Sequence, residues 1–150
     1  MLKGLDPLLT PDLLRLLAEM GHDDALVLAD ANFTAHSLSG GRPVLRLPGA
    51  GMERVVRAVD SVLPLAADVD HPVAFMQVSG TEAPYLSALQ REVLGLLAPS
   101  LLPGQRAQAI ERHAFYARVR EAYAIVVTGE LQPFGNFILR KGVIGEDLRP

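Results

Sequence analysis

Apolar positions in this chain switch repeatedly between two periods. Behind Thr10-Pro11-Asp12, Leu13, Leu16, Leu17 and Met20 recur at helical spacing. Thr can cap, Pro suits the first turn and Asp complements the helix dipole, so a helix begins there. Gly21 is expected to end it as a C-terminal cap. Ala25-Leu26-Val27-Leu28 is short and wholly apolar, the pattern of a strand covered on both faces. Val44–Leu47 predicts a weak strand between Gly- and Pro-containing turns. Met52, Val55, Val56, Val59 and Val62 predict a second helix, stopped near Pro64. Val73–Val78 predicts a strand, and Leu86, Leu89, Val93, Leu96 and Leu97 a third helix stopped at Pro99. Next come a short strand over Ile110–His113, a helix over roughly Phe115–Glu121, and strands at Ala124–Val127 and Phe137–Leu139. The last strand has apolar residues that could carry it to Ile144, and Leu94–Gln105 is the expected place for a long excursion. Strands thus alternate with helices along most of the chain. The expected fold is one three-layer α/β domain over residues 1–150, with a largely parallel or mixed sheet flanked by helices.

Composition narrows the function classes. The chain is 49% hydrophobic, enough for a sizeable core. Its mean hydropathy of +0.23 is high for a chain with no membrane segment and hints at apolar surface buried between subunits. No apolar run approaches the roughly 20 residues of a membrane span, and the N-terminal MLKGLDPLL lacks the features of a signal peptide. A cytoplasmic location is therefore expected. Charges of both signs are spread along the chain, net −3, with no basic block, which argues against nucleic acid. The absence of cysteine removes disulfides, thiolate metal sites and Cys nucleophiles.

Three polar clusters remain as carriers of chemistry: Gly21-His22-Asp23-Asp24, Asp30-Ala31-Asn32 and Gly135-Asn136. Ligands of open α/β sheets bind beyond the carboxyl ends of strands, where Asp30 and Asn32 are placed. His22 precedes the same strand and so belongs at its other end, unless a second subunit or a folded-over loop brings the two together. From pattern alone each residue also has an ordinary role. A His after a helix is commonly a cap or surface residue. Asp30 can cap a turn, Asn136 can sit in one, and Met76 can be core. His36 and His71 read as surface. No GxxxxGK[ST], GxGxxG, HExxH or GxSxG element occurs. The spacing of His22, Asp23, Asp24 and Asp30 matches no zinc signature.

Taken together and in order, these elements resemble the RbsD/FucU family of fucose mutarotases and ribose pyranases. The matching stretches are MLKGLDPLLTPDLLRLLAEMGHDDALVLADANF and IERHAFYARVREAYAIVVTGELQPFGNFILRKGVI. They resemble the fucose-type pattern of Leu-Lys-Gly, Met-Gly-His, Leu-Ala-Asp-x-Asn-Phe, Ile-Glu-Arg-Phe-x-Phe-Tyr, Thr-Gly-Glu, Tyr-Gly-Asn and Lys-Gly-Val. The resemblance implies anomer interconversion of a free monosaccharide, without metal or cofactor, in a ring-like homo-oligomer, commonly a decamer, with sites at subunit contacts. It implies a proton-transferring role for His22 and a catalytic one for Tyr116, with Asp30, Arg112, Met76, Phe134 and Asn136 binding the sugar. The family's Tyr-Gly-Asn is Phe134-Gly135-Asn136 here, which keeps a stacking surface but loses a hydroxyl. A site that hydrogen-bonds a substrate hydroxyl discriminates strongly, so this exchange bears on which sugar is taken. A family Asp in the middle loop has its nearest counterpart in Asp68, displaced by about two positions on the sequence pattern.

Mutarotation needs one proton removed from the anomeric hydroxyl and one delivered to the ring oxygen. A His, ordinarily titrating near about 6.5, can give or take a proton at neutrality. His22 and Tyr116 are the expected acid–base pair. Three other classes compete: a sugar-binding or regulatory protein on the same fold, an isomerase acting at carbon, and a structural assembly protein. Within the enzyme reading, a pyranase acting on ribose is the nearest variant.

Overall fold

The computed structural model describes residues 1–145; the last five positions of the expected domain lie outside the described residues. In chain order the elements are α1 (Pro11–Glu19), β1 (Ala25–Ala29), α2 (Ala35–Ser39), β2 (Val44–Leu47), α3 (Met52–Asp60), β3 (Val73–Met76), α4 (Ala88–Leu97), a single 3-10 turn (Ala98–Ser100), β4 (Gln108–Ile110), α5 (Arg112–Val119), β5 (Ala124–Thr128) and β6 (Phe137–Arg140). Six strands form one sheet in the order β2-β5-β1-β6-β3-β4. β1 pairs parallel with β5, as β2 does with β5 and β3 with β4, whereas β6 is antiparallel to both β1 and β3. The sheet is therefore mixed, with five strands running one way and β6 reversed in the middle.

Alternate residues of the central strands feed two cores, which is why those strands read as continuous apolar runs. Leu26, Leu28, Val126, Phe137 and Leu139 pack against α1, α3 and α4. Val27, Ala29, Ile125, Val127 and Ile138 pack on the other face with Phe33, Leu38, Phe115 and Val119 from the α2 and α5 side. This is the expected three-layer arrangement.

Several expectations from the pattern need correction. α1 is not closed by a left-handed Gly21. Its cap is Met20, at φ −59° and ψ 136°, and the positive φ nearby belongs to Asp23. The ammonium of Lys141 donates to the Leu17 carbonyl at 2.7 Å and also to that of Met20. A cation from the far end of the sequence thus satisfies the helix terminus, and no local glycine is needed. The expected strand over Ile110–His113 is instead Gln108–Ile110, because Glu111 caps α5 by accepting the amides of His113 and Ala114. Arg112 and His113 are helical as a result. Leu94–Gln105 begins as the last turn of α4, and Pro99 is absorbed in the 3-10 turn. Longer irregular segments span residues 61–72 and 77–87. β6 ends at Arg140, beyond which Lys141 makes an isolated bridge to Leu65. Residues 142–144 are not a strand. α2 was hidden by its polar Ala-His-Ser-Leu-Ser composition; His36 is exposed on it, and His71 is half-buried with Nδ1 3.0 Å from the Arg106 carbonyl oxygen.

Candidate active site at the carboxyl ends of the strands

Asp30 is the first residue after β1 and is 4% exposed. Because β6 runs against its neighbours, its first residues arrive at the same edge of the sheet at which β1, β3 and β5 end. Asn136, 2% exposed, therefore faces Asp30. The two are doubly bonded: Asp30 N–H donates to Asn136 Oδ1, and Asn136 Nδ2 donates to Asp30 Oδ2, each at 3.0 Å. The Asn32 amide donates to Asp30 Oδ1 at 3.0 Å. Burial pushes the Asp30 carboxyl above the usual range. The donors on Asn32, Asn136 and Gly135 pull it back, and nearby Glu130 adds repulsion in the same direction as burial. The pair thus holds a carboxyl and a carboxamide, each bonded to the other, at this end of the sheet.

Loop bonds hold the pair in place. Thr128, the last residue of β5, donates from Oγ1 to the Ala29 carbonyl at 3.0 Å and accepts the Glu130 amide at 3.1 Å. The Ala31 amide donates to the Glu130 carbonyl at 2.8 Å. A Cβ on Gly135 would lie 2.8 Å from Leu89 Cδ2 and 3.1 Å from the Gln132 carbonyl oxygen, so a side chain there would force Leu89 or the loop to shift. Phe134 takes a φ of 62°, which is costly for a bulky residue and sets the direction of its ring.

The residues packed around the pair are apolar and aromatic. Met76 ends β3, is 2% exposed, and lies 3.9 Å (Sδ) from Asn136 Nδ2. Tyr116 and Phe134, both partly buried, pack against the cluster that contains Met76, Phe33 and Phe115. Tyr116 meets Phe33 edge-on, with centroids 5.9 Å apart, and His113 at 6.2 Å. Arg112 is exposed in the first turn of α5, four residues before Tyr116 and so on the same helix face. Of the residues singled out by sequence, Asp30, Met76, Tyr116, Phe134, Asn136 and Arg112 are thus brought to one end of the sheet. Phe33, three residues after Asp30, packs against Tyr116, and its place in the Asp30-Ala-Asn-Phe element was its one sequence signal.

His22 is not with them. It precedes β1, at the opposite edge of the sheet, roughly 17 Å away along the strand. There it meets Asp68: Nε2 lies 3.2 Å from Oδ1 and 3.1 Å from Oδ2. The displaced Asp68 is thus the direct partner of His22, which the irregular stretch between α3 and β3 makes possible. Its hydrogen bond to His22 holds the Asp68 carboxyl below the usual range. Among the described residues, Nδ1 of His22 has no hydrogen-bond partner. The loop is fixed from beneath by exchanged backbone bonds, Asp23 N–H to Lys141 O at 2.8 Å and Lys141 N–H to Asp24 O at 2.9 Å, and by the Arg140–Asp23 ion pair. Among the described residues no group of three His, Cys, Asp or Glu side chains is arranged to hold a metal, and no helix is long and apolar enough to cross a membrane.

Comparison with known proteins sets this geometry in a family. Residues 3–144 match the model of the RbsD / FucU transport protein family. The chain is 41% identical to an L-fucose mutarotase of Haemophilus influenzae (strain 86-028NP), over 95% of this chain and 97% of that one. It is 39% identical, with the same coverage, to an L-fucose mutarotase of Actinobacillus pleuropneumoniae serotype 5b (strain L20). The crystal structure of the fucose mutarotase in complex with L-fucose from Streptococcus pneumoniae superposes with a TM-score of 0.85 at 34% identity, covering 96% of this chain and all of that one. With that agreement in sequence over nearly its whole length, and in fold, the chain belongs to the RbsD/FucU family.

Proposed function

We propose that this protein is a cofactor-independent isomerase, a mutarotase that interconverts the anomers of a free, fucose-like monosaccharide, acting in the cytoplasm. The observation that carries the reading is the buried, doubly bonded Asp30–Asn136 pair at the end of the sheet that also carries Tyr116 and Phe134, in a chain about 40% identical to proteins named L-fucose mutarotase. The pair offers fixed polar atoms to sugar hydroxyls, while Tyr116, Phe134 and Met76 offer surfaces to the apolar faces of a pyranose.

Ring opening takes the proton from the anomeric hydroxyl and gives one to the ring oxygen as the bond from the anomeric carbon to that oxygen breaks. The open aldehyde turns about its bond to the second carbon, and the reverse transfers close the ring on its other face. No proton bound to carbon moves. Two groups of suitable acidity suffice, and each contributes about 10²–10⁴-fold. Tyr116 supplies one and His22 the other, its ring oriented by Asp68. Since His22 lies at the far edge of its own sheet, the His22 that works beside Tyr116 comes from another copy. Head-to-tail contact of this kind forms a ring where its rotation closes, and we take the assembly to be such a ring-like homo-oligomer, a decamer. Phe134 leaves one sugar hydroxyl without the partner that a Tyr would give, and so shapes sugar preference rather than the reaction.

Saturation-transfer NMR on equilibrated fucose, ribose and galactose tests this. Faster exchange between the anomeric proton signals of one sugar, with no deuterium taken up at carbon, is expected. A folded oligomer that binds sugar without speeding exchange would favour the binding-protein reading, and deuterium at carbon would favour isomerisation there.

A further inference from the structure

Gln90 is fully buried, yet no part of the reaction above uses it. It is the third residue of α4, and half of its side chain is accounted for locally. Its Oε1 accepts the Ser87 amide at 3.1 Å, and its own amide donates to Ser87 Oγ at 3.1 Å, a reciprocal capping box. The other half leaves the helix. Nε2 donates to the Met76 carbonyl at 2.7 Å and to the Phe134 carbonyl at 3.2 Å. Those two carbonyls belong to two segments of the candidate site, 58 residues apart in sequence. The Met76 amide in turn donates to the Asn136 carbonyl at 3.1 Å, so one side chain closes a ring of bonds through Met76, Asn136 and Phe134.

We propose that Gln90 is a positioning residue for sugar binding: its carboxamide clamps the Met76 and Phe134 carbonyls, holding the thioether and the aromatic ring at fixed spacing around the Asp30–Asn136 pair. The inference rests on the mutarotase reading of the site. Three features support it. Phe134 sits in the left-handed region at φ 62°, a conformation that persists only where surroundings impose it, and Gln90 binds the carbonyl of that same residue. Leu89, the neighbour of Gln90, presses on Gly135 so closely that a Cβ there would stand 2.8 Å away, so the first turn of α4 shapes residues 134–136 from two sides. Finally, a capping Gln needs only Oε1 for the box. A fully buried amide that spends both N–H groups on carbonyls of two site segments has a second use.

The test separates that use from helix capping. Gln90→Met keeps the volume but removes the donor and the box; Ser87→Ala weakens the box and leaves the clamp. Both lower thermal stability. Gln90→Met is expected to raise KM for the sugar about tenfold, the scale of one net hydrogen bond lost beneath the site, while leaving the pH dependence of the exchange rate as in the wild type. Ser87→Ala is expected to keep the wild-type KM. Gln90→Glu retains the acceptor and the box, loses the double donor, and should share the raised KM. Equal KM values for Gln90→Met and Ser87→Ala, or a wild-type KM in Gln90→Glu, would overturn the clamp. A wild-type protein without any exchange activity would fault the mutarotase reading instead.

Discussion

Replacing Asn136 by Ala removes both bonds of the buried pair at once and leaves Asp30 to absorb the consequences. The Asp30 amide loses its acceptor, which costs about 1–3 kcal/mol for a donor orphaned out of water. The Asp30 carboxylate loses a donor to Oδ2, a charge-assisted bond of about 1.5–3 kcal/mol. The second loss depends on pH. Burial already holds the Asp30 carboxyl above its ordinary value and Asn136 opposes that rise, so the variant's carboxyl titrates higher still. Above that value the folded variant carries a buried carboxylate with less support. Below it the group is neutral and the charge-assisted part of the penalty vanishes. The expected loss is about 3–5 kcal/mol at the higher of two pH values that bracket the carboxyl's titration, and about 1–3 kcal/mol at the lower. Urea unfolding of wild type and variant at both values, at fixed protein concentration, reads this directly. A loss below about 0.5 kcal/mol at both values, or one that grows as pH falls, would refute the account of Asp30.

Further outcomes follow from the same geometry. His22→Ala should keep its fold and melting temperature, since His22 is half exposed, while anomer exchange falls by about 10²–10⁴-fold; near-wild-type exchange by NMR would remove His22 from the mechanism. Asp68→Asn should leave the fold of the chain intact, because the pair lies on the chain's own surface outside its core, and should lower kcat more than it raises KM as His22 loses its orientation. Gly135→Ala forces residues 132–136 or Leu89 to move and should cost about 1–3 kcal/mol in urea unfolding, with weaker sugar binding. Phe134→Tyr restores a hydroxyl there and should change the ranking of sugars in competition assays while preserving exchange.

The layers of the fold were legible because burial on two faces writes itself as short apolar runs, and helix faces as a 3.6-residue period. Ala25–Ala29, Val44–Leu47 and Ala124–Thr128 lie where the pattern put them, to within one residue. What the pattern missed depended on partners far away in sequence. The end of α1 is satisfied by Lys141, more than 120 positions on, so the local glycine misled. The pattern carries the strand on to Arg112 and His113 because apolar Ile110 outweighs the capping carboxylate of Glu111. In the site, Asp30 and Asn136 stood out as polar residues at element ends, Tyr116 and the displaced Asp68 entered only through the family resemblance, and Gln90 did not stand out at all. Asp68 reaches His22 across an irregular segment, and Gln90 lies on a helix face where its Ser87-x-x-Gln90 spacing announces only a cap. The separation of His22 from Asp30 by the length of β1 was readable from order alone, and the proposal that a second copy bridges it rests on the same fact.

Complementation between two inactive variants tests that separation most directly. His22→Ala and Tyr116→Phe are each expected to be nearly inactive alone. Unfolded together and refolded as a mixture, they should recover exchange, because a site that takes Tyr116 from one variant and His22 from the other is intact, roughly a quarter of all sites on random mixing. Recovery on that scale, read by saturation-transfer NMR of the anomeric protons, is the predicted result. A mixture no more active than the sum of its parts would place both residues of each site on one chain and contradict the account.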